Sequence, residues 1–333
     1  MNSPEQPASI LALADLATPM AVRVAATLRL VDHAGSTGAT AEELAARTGT
    51  SAPALRRLLD HLVTIGVFDD EAASGRYRPT SLGNQMSADS PDPFALLLLD
   101  IGSAGGRAEL AFVELLSTIT SGRPAYPRRY GRDFWADLEA EPALRTSFDA
   151  QMNCRFRVYA DQIAARFDWS RFPDVLDVGG GDGTLLTAIL RAHPGVRGRV
   201  LDLAPTAAAT ERFTATGLSD RASAVAGSFF DPLPTGADAY LLSDILHDWD
   251  DELAAAILAE CARAAGAYGA VVVIEPILGR GADTAIDLFM AMCFGGRERT
   301  VTELGALGET CGLMLRAVRP VADGRTALEF QSR

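Results

Sequence analysis

Apolar side chains dominate residues 10–31 on nearly every face. The pattern predicts a helix, or a helix pair bent near Pro19, buried in its own chain or in a partner. Residues 40–49 read as a shorter helix, with Thr40 as N-cap and Glu43 completing a capping box. A second helix over 50–66 ends at Gly66. Val67 and Phe68, a polar turn over 69–75 and then Arg76 to Arg78 suggest a short hairpin. Helix, turn, helix and hairpin form the winged-helix pattern. Nucleic-acid binding is not expected from it. Arg47, Arg56, Arg57, Arg76 and Arg78 are outnumbered by Glu42, Glu43, Asp60, Asp69, Asp70 and Glu71, and the second helix lacks a reader's basic face. A structural or dimerisation role fits better.

Residues 91–172 are mostly helical, with breaks at 102–106 and 121–131 and a helix over 148–159. From Pro173 the pattern changes. Apolar runs at 175–178, 199–203, 222–226, 239–243 and 270–275 alternate with helical text at 183–192, 204–216 and 251–265. Strand–helix alternation predicts an α/β fold with a doubly wound parallel sheet. The expected division is a winged-helix-like domain over 1–100, a helical connector over 101–172 and a Rossmann-like catalytic domain over 173–333.

Such sheets bind ligands at the carboxyl ends of their strands. After the first run come Asp177, Gly179, Gly180, Gly181, Asp182 and Gly183, a turn that lets backbone approach a ligand closely. Asp202 ends the second run at the distance where an acid meets ribose hydroxyls. A dinucleotide is the competing ligand. Acids at 177 and 182 would repel its phosphates, and they suit the ammonium and sulfonium of a methyl donor. After the third run, Gly227, Ser228, Phe229 and Phe230 offer a hydroxyl and aromatic faces for an adenine, or else a turn followed by core rings.

The fourth run leads to His247, followed by acids at 248–252 that begin a helix and complement its dipole. An unperturbed histidine titrates near ~6.5, so His247 would be mostly neutral at pH 7 and able to take a proton from a phenol. Glu275 and Glu298 are the candidates to orient its ring, unless they pair with Arg297 or Arg299 at the surface. His33, His61 and His193 read as structural.

With 333 residues, 48% apolar and 22% charged, the chain has the composition of a soluble globular protein. The net charge of −13 disfavours nucleic acid and anionic lipid. Every basic side chain is arginine, which excludes Schiff-base and P-loop lysine chemistry. No apolar run reaches the ~20 residues of a membrane span, and the start lacks a secretory pattern, so the cytoplasm is the default. Cys154, Cys261, Cys293 and Cys311 lack metal-ligand spacing, and no metal is expected.

Taken in order, the Asp177–Gly183 turn, the run ending at Asp202, Gly227 to Phe230, His247 to Glu252 and Gly295 to Thr300 resemble the caffeic-acid-type small-molecule O-methyltransferases. Within that family, 14–29 and 125–138 are similar to actinomycete enzymes that methylate hydroxy-naphthoic acids in antibiotic assembly. The resemblance implies S-adenosyl-L-methionine as cofactor, a homodimer built through the N-terminal half, and a phenolic hydroxyl of an aromatic acid as acceptor. It places the base at His247 and its flanking acids at Glu275 and Glu298. Cofactor contacts fall on Asp177, Gly179, Gly181, Asp202, Ser228, Phe229 and Ser243, and acceptor contacts on Met152, Asn153, Asp287 and Met290. Ser228, Ser243 and Cys293 depart from the acid, lysine and asparagine of plant members, so grip and orientation cannot be copied from them. Arg23, Arg107, Arg155 and Arg157 are unranked candidates to anchor an acceptor carboxylate. The alternatives are a family member repurposed for hydroxylation or decarboxylation, and a ligand-sensing winged-helix regulator.

Overall fold

The computed structural model describes residues 9–71, 73–203 and 207–333. It divides into two compact units: 1–110 with 143–151, and 111–142 with 152–333. The expected connector, 101–172, is therefore shared between them.

In the first unit, the apolar start forms two helices, Ile10–Leu13 and Ala17–Thr27. The break falls before Pro19, not at it. Asp15 accepts hydrogen bonds from the N–H groups of Ala17 and Thr18, both at 3.0 Å, and starts the second helix there. Pro19 then sits in the first turn, where a missing N–H costs nothing. The 18-residue stretch Ile10–Thr27 has a mean hydropathy of 1.4 and is only 17% buried. Its helices of 4 and 11 residues are each shorter than a bilayer span. Ile10, Leu11, Leu13 and Leu16 remain exposed.

Ala41–Thr48 carries the Thr40–Glu43 capping box, and Ala52–Thr64 follows with Leu55, Leu59 and Leu62 buried. The hairpin is longer than its polar text suggested. Strand β1 (Phe68–Glu71) takes in Asp69 and Asp70 and pairs with β2 (Arg76–Pro79). Only Phe68 of β1 is buried, so the acids stand on an exposed edge that their solvation favours.

The second unit is built on a seven-stranded sheet ordered β5-β4-β3-β6-β7-β9-β8. Its strands are β3 (Asp174–Val178), β4 (Arg197–Asp202), β5 (Ala222–Ala226), β6 (Ala239–Ser243), β7 (Ala270–Glu275), β8 (Leu313–Ala322) and β9 (Arg325–Ser332). Strands β3 to β7 are parallel, and helices Thr184–Ala192, Ala207–Ala215 and Asp251–Ala265 connect them. Side chains pack on both sheet faces: Val175, Ile189 and Trp169 on one, Tyr240, Leu242 and Leu258 on the other. Such double burial makes these strands near-continuous apolar runs.

The sheet is not wholly parallel. β9 lies antiparallel to β7, and β8 antiparallel to β9, forming a C-terminal hairpin that the parallel reading did not include. β9 hides from a hydrophobicity pattern because it buries Arg325, Thr326 and Glu329. Arg171 satisfies Glu329 through bonds of 2.7 and 3.2 Å. The order reverses between β3 and β6, and a crevice opens at the strand carboxyl ends of such a switch point.

Candidate active site

The turn after β3 is shaped by glycine. Gly179, Gly181 and Gly183 have φ of 74°, 57° and 75°, a region that side chains disfavour. At Gly179 a Cβ would also stand 2.6 Å from Ile245 Cδ1. Asp177 is buried under this turn, its Oδ2 without a hydrogen-bond partner among the described residues. Burial, with Asp202 and Asp182 nearby, pushes its carboxyl up to about 7. Ser243 Oγ, at the end of β6, is likewise buried and unpartnered. A carboxylate oxygen and a hydroxyl left without partners among the described residues fit a ligand with polar groups of its own, such as an ammonium for the carboxylate.

Asp182 does not share that role. Its Oδ1 accepts from the Thr184 N–H at 3.0 Å and the Thr184 hydroxyl at 2.7 Å, while Oδ2 pairs with Arg212. Asp182 starts the helix and is committed within the protein. Asp202 holds the turn, accepting from Gly181 N–H at 2.8 Å and Leu203 N–H at 2.7 Å. Ser228 Oγ accepts from Phe230 N–H at 3.1 Å, and the Phe229 ring lies 5.9 Å from Trp249, edge-on.

Trp249 had no role in the sequence reading. It meets Phe230 edge-on at 5.0 Å and stacks on Trp135 at 5.7 Å, and Trp135 stacks on Phe294 at 5.3 Å. These rings form an aromatic wall beside the His247 turn. The signal was an aromatic residue two positions after the histidine, on its own too common to assign.

His247 lies in the 3-10 turn Leu246–Asp248 and is 2% exposed. Its Nδ1 is 3.0 Å from Glu298 Oε1, and its Nε2 is 3.6 Å from Asp248 Oδ1. Burial favours the neutral ring, yet Asp248, Glu298, Asp244 and Glu275 outweigh it and push the imidazole up to about 9. The isolated site therefore holds an imidazolium at pH 7, not the neutral ring expected from an unperturbed histidine. Asp248 also departs from expectation. Asp250 caps the following helix through Leu253 N–H at 2.9 Å, whereas Asp248 turns to the ring, with burial raising its carboxyl to about 6.

Glu275 and Glu298 are both buried, and neither is a surface partner of the arginines. They do different things. Glu298 contacts the ring, whereas Glu275 Oε1 accepts from the N–H groups of Leu246 at 2.6 Å and His247 at 3.2 Å. Burial, only partly offset by His247, raises Glu275 to about 7. Arg299, 1% exposed, donates to the carbonyls of Leu246 and Trp249 at 2.8 Å each and closes the turn from the other side. A Cβ at Gly296 would stand 2.0 Å from the His247 carbonyl oxygen, so glycine lets the two loops touch.

Among the residues expected at the acceptor, Met290 is buried and Met152 and Asn153 are half-buried on the 25-residue helix Pro142–Arg166. Asp287 accepts from Glu298 N–H at 2.8 Å and so also steadies the ring's partner. Among the described residues, no group of three or more His, Cys, Asp or Glu could hold a metal ion.

A glycine turn at the switch point of the sheet and a buried histidine–carboxylate pair belong to a Rossmann-like enzyme. The chain belongs to the O-methyltransferase family: residues 112–314 match the O-methyltransferase domain and 11–89 the O-methyltransferase dimerisation domain. It is an S-adenosylmethionine-dependent O-methyltransferase by family. Over 313 residues it is 51% identical to 2,7-dihydroxy-5-methyl-1-naphthoate 7-O-methyltransferase of Streptomyces carzinostaticus, covering 93% of this chain and 94% of that one. It is 44% identical to aclacinomycin 10-hydroxylase of Streptomyces purpurascens, covering 96% of this chain and 86% of that one. An O-methyltransferase from neocarzinostatin biosynthesis, solved with S-adenosylmethionine and 2-hydroxy-5-methyl naphthoic acid, superposes with a TM-score of 0.93 at 49% identity. That match covers 98% of this chain and 99% of the other. Asp177 Oδ2 and Ser243 Oγ, both lacking donors, fit the ammonium and hydroxyls of that cofactor.

Proposed function

We propose that this enzyme methylates a phenolic hydroxyl of an aromatic hydroxy acid of the naphthoate type in antibiotic assembly, as a homodimer, with His247 as general base. The buried His247–Glu298 pair carries the reading. Glu298 fixes Nδ1, which leaves Nε2 to receive the acceptor's proton. When bound, S-adenosylmethionine supplies an electrophilic methyl group. Asp177, Asp202 and Ser243 would hold its polar ends, with Gly179 and Gly181 letting backbone come close and Ser228 and Phe229 flanking its base. The imidazolium gives up its proton as a further positive charge enters the pocket, because like charges disfavour each other. His247 then takes the hydroxyl proton, and Glu298 and Asp248 stabilise the imidazolium that re-forms. Met152, Asn153 and Met290 are the side chains proposed to contact the acceptor ring. Exposed Ile10, Leu11, Leu13 and Leu16 support burial of the N-terminal helices against a second copy.

His247→Ala is expected to leave cofactor affinity near wild type and to lower turnover by ~10²–10⁴. Unchanged turnover would remove His247 from the chemistry. The 44% identity to a hydroxylase favours a second reading, oxygen insertion, which product mass separates from the gain of one methyl.

A further inference from the structure

The surroundings of His247 are hostile to an anion. Asp244, Asp248, Glu275 and Glu298 all act on its ring, and an acceptor bearing a carboxylate would add another negative charge. Arginine is the only strong cation this chain has, so the question is which guanidinium is free to help.

Most candidate arginines are committed. Arg299 is held by two carbonyls and Asp251. Arg325 binds Asp244 Oδ2 through Nε at 3.2 Å and Nη2 at 2.8 Å, with its guanidinium 4.6 Å from the centre of the Tyr159 ring. Arg157 is exposed and bonded to Asn153 O and Cys154 Sγ on its own helix. In the first unit, Arg23 is taken by Glu109 and the Leu98 carbonyl. Arg155 differs from all of these. Its side chain is 20% exposed, its one ion-pair contact is Nη2 to Asp244 Oδ2 at 3.6 Å, and it makes no hydrogen bond among the described residues. Arg325 already occupies that oxygen at shorter range, so Arg155 is the surplus cation of the trio. Its charge also reaches Asp248, the residue facing His247 Nε2. Five guanidinium donors beside Asp244, a carboxylate that acts on the base, with no hydrogen bond between them among the described residues, match a planar carboxylate in two-point contact.

We propose that Arg155 is the carboxylate anchor of the acceptor. It pairs with the acid group of an aromatic hydroxy acid and so sets a hydroxyl of the same ring system at His247 Nε2. The pairing selects acids over neutral phenols of the same ring system. This inference rests on the methyl-transfer reading above, but it makes a separate demand on one residue.

The test compares 2,7-dihydroxy-1-naphthoic acid with its carboxamide, in wild type and in Arg155→Gln and Arg155→Lys. Readouts are kcat, KM and calorimetric affinity in the presence of S-adenosylhomocysteine. Wild type should favour the acid by roughly 10- to 100-fold in KM and in affinity, the range of a charged hydrogen-bonded pair. Arg155→Gln should bring that preference near unity, and Arg155→Lys should retain part of it. Loss by the same factor for acid and carboxamide would overturn the anchor and leave Arg155 as a structural counter-charge to Asp244. An acid preference that survives in Arg155→Gln would also overturn it. Wild type that binds the acid through Arg155 without methylating it would refute the proposed function and spare the anchor. Wild type that binds neither compound would overturn both. Melting temperature and S-adenosylhomocysteine affinity report whether each variant is folded.

Discussion

Replacing Glu298 with glutamine removes one charge from the His247 environment and keeps its shape. The carboxylate is fully buried and 3.0 Å from Nδ1, and a glutamine carbonyl can accept from the same N–H. A hydrogen bond to a charged group contributes ~1.5–3 kcal/mol, against ~0.5–1.5 kcal/mol for a neutral one. The difference, about 1–1.5 kcal/mol, corresponds to about one pKa unit. The sign follows from which form Glu298 favours. It stabilises the imidazolium, so its loss lowers the imidazole pKa and makes the base available at lower pH. The imidazolium formed during reaction is less stable by the same amount, so maximal turnover falls about tenfold. Rate measurements from pH 6 to 10 at saturating cofactor would read both effects, since kcat/KM reports groups of the enzyme before the acceptor binds. With the cofactor's positive charge beside the ring, the wild-type midpoint should lie below the raised imidazole value of about 9, and that of Glu298→Gln about one unit lower still. Coincident midpoints with a uniformly lower plateau would refute the reasoning and reduce Glu298 to packing. Its Oε2 has no partner among the described residues, so the new amide N–H₂ is also unsatisfied there, and a modest loss in melting temperature is expected alongside.

Burial raises the Asp177 carboxyl to about 7 under the glycine turn, and in the proposed cofactor contact it would hold the ammonium only when ionised. S-adenosylhomocysteine should accordingly bind about tenfold more tightly at pH 8 than at pH 6, and Asp177→Asn should bind it weakly at both. Equal wild-type affinity at the two pH values would place the ammonium elsewhere. Gly296→Ala drives a methyl group into the His247 carbonyl and should lower stability by ~1–3 kcal/mol, seen as a lower melting temperature. An unchanged melt would mean the two loops can separate at no cost.

The parallel strands were legible as short apolar runs, β6 and β7 because both faces are buried, and 222–226, 239–243 and 270–275 coincide with β5, β6 and β7. β9 was not, because buried Arg325 and Glu329 are paired by residues far away in sequence. The glycine turn and His247 stood out by residue type. Their electrostatics did not, since four carboxylates meet at one ring only after folding. For the same reason Asp182 and Asp248 exchanged meanings. Asp182 looked ligand-facing and is bound by Thr184 and Arg212, while Asp248 looked like a helix cap and faces the histidine. Position along the chain identified the acids, and only three-dimensional partners separated their jobs.

The grip of Glu275 on the backbone of Leu246 and His247 has a consequence for how this enzyme can diversify. Glu275 is the last residue of β7, and β7 is registered residue for residue against β6 from Ala239↔Ala270 to Ser243↔Ile274. His247, the proposed base, is thereby positioned by strand pairing. The residues proposed to meet the acceptor lie instead on the helices Pro142–Arg166 and Thr284–Cys293. Substitutions there can change which aromatic compound is accepted while the proton-accepting atom stays where it is. A lineage built this way can acquire new substrates without rediscovering its chemistry.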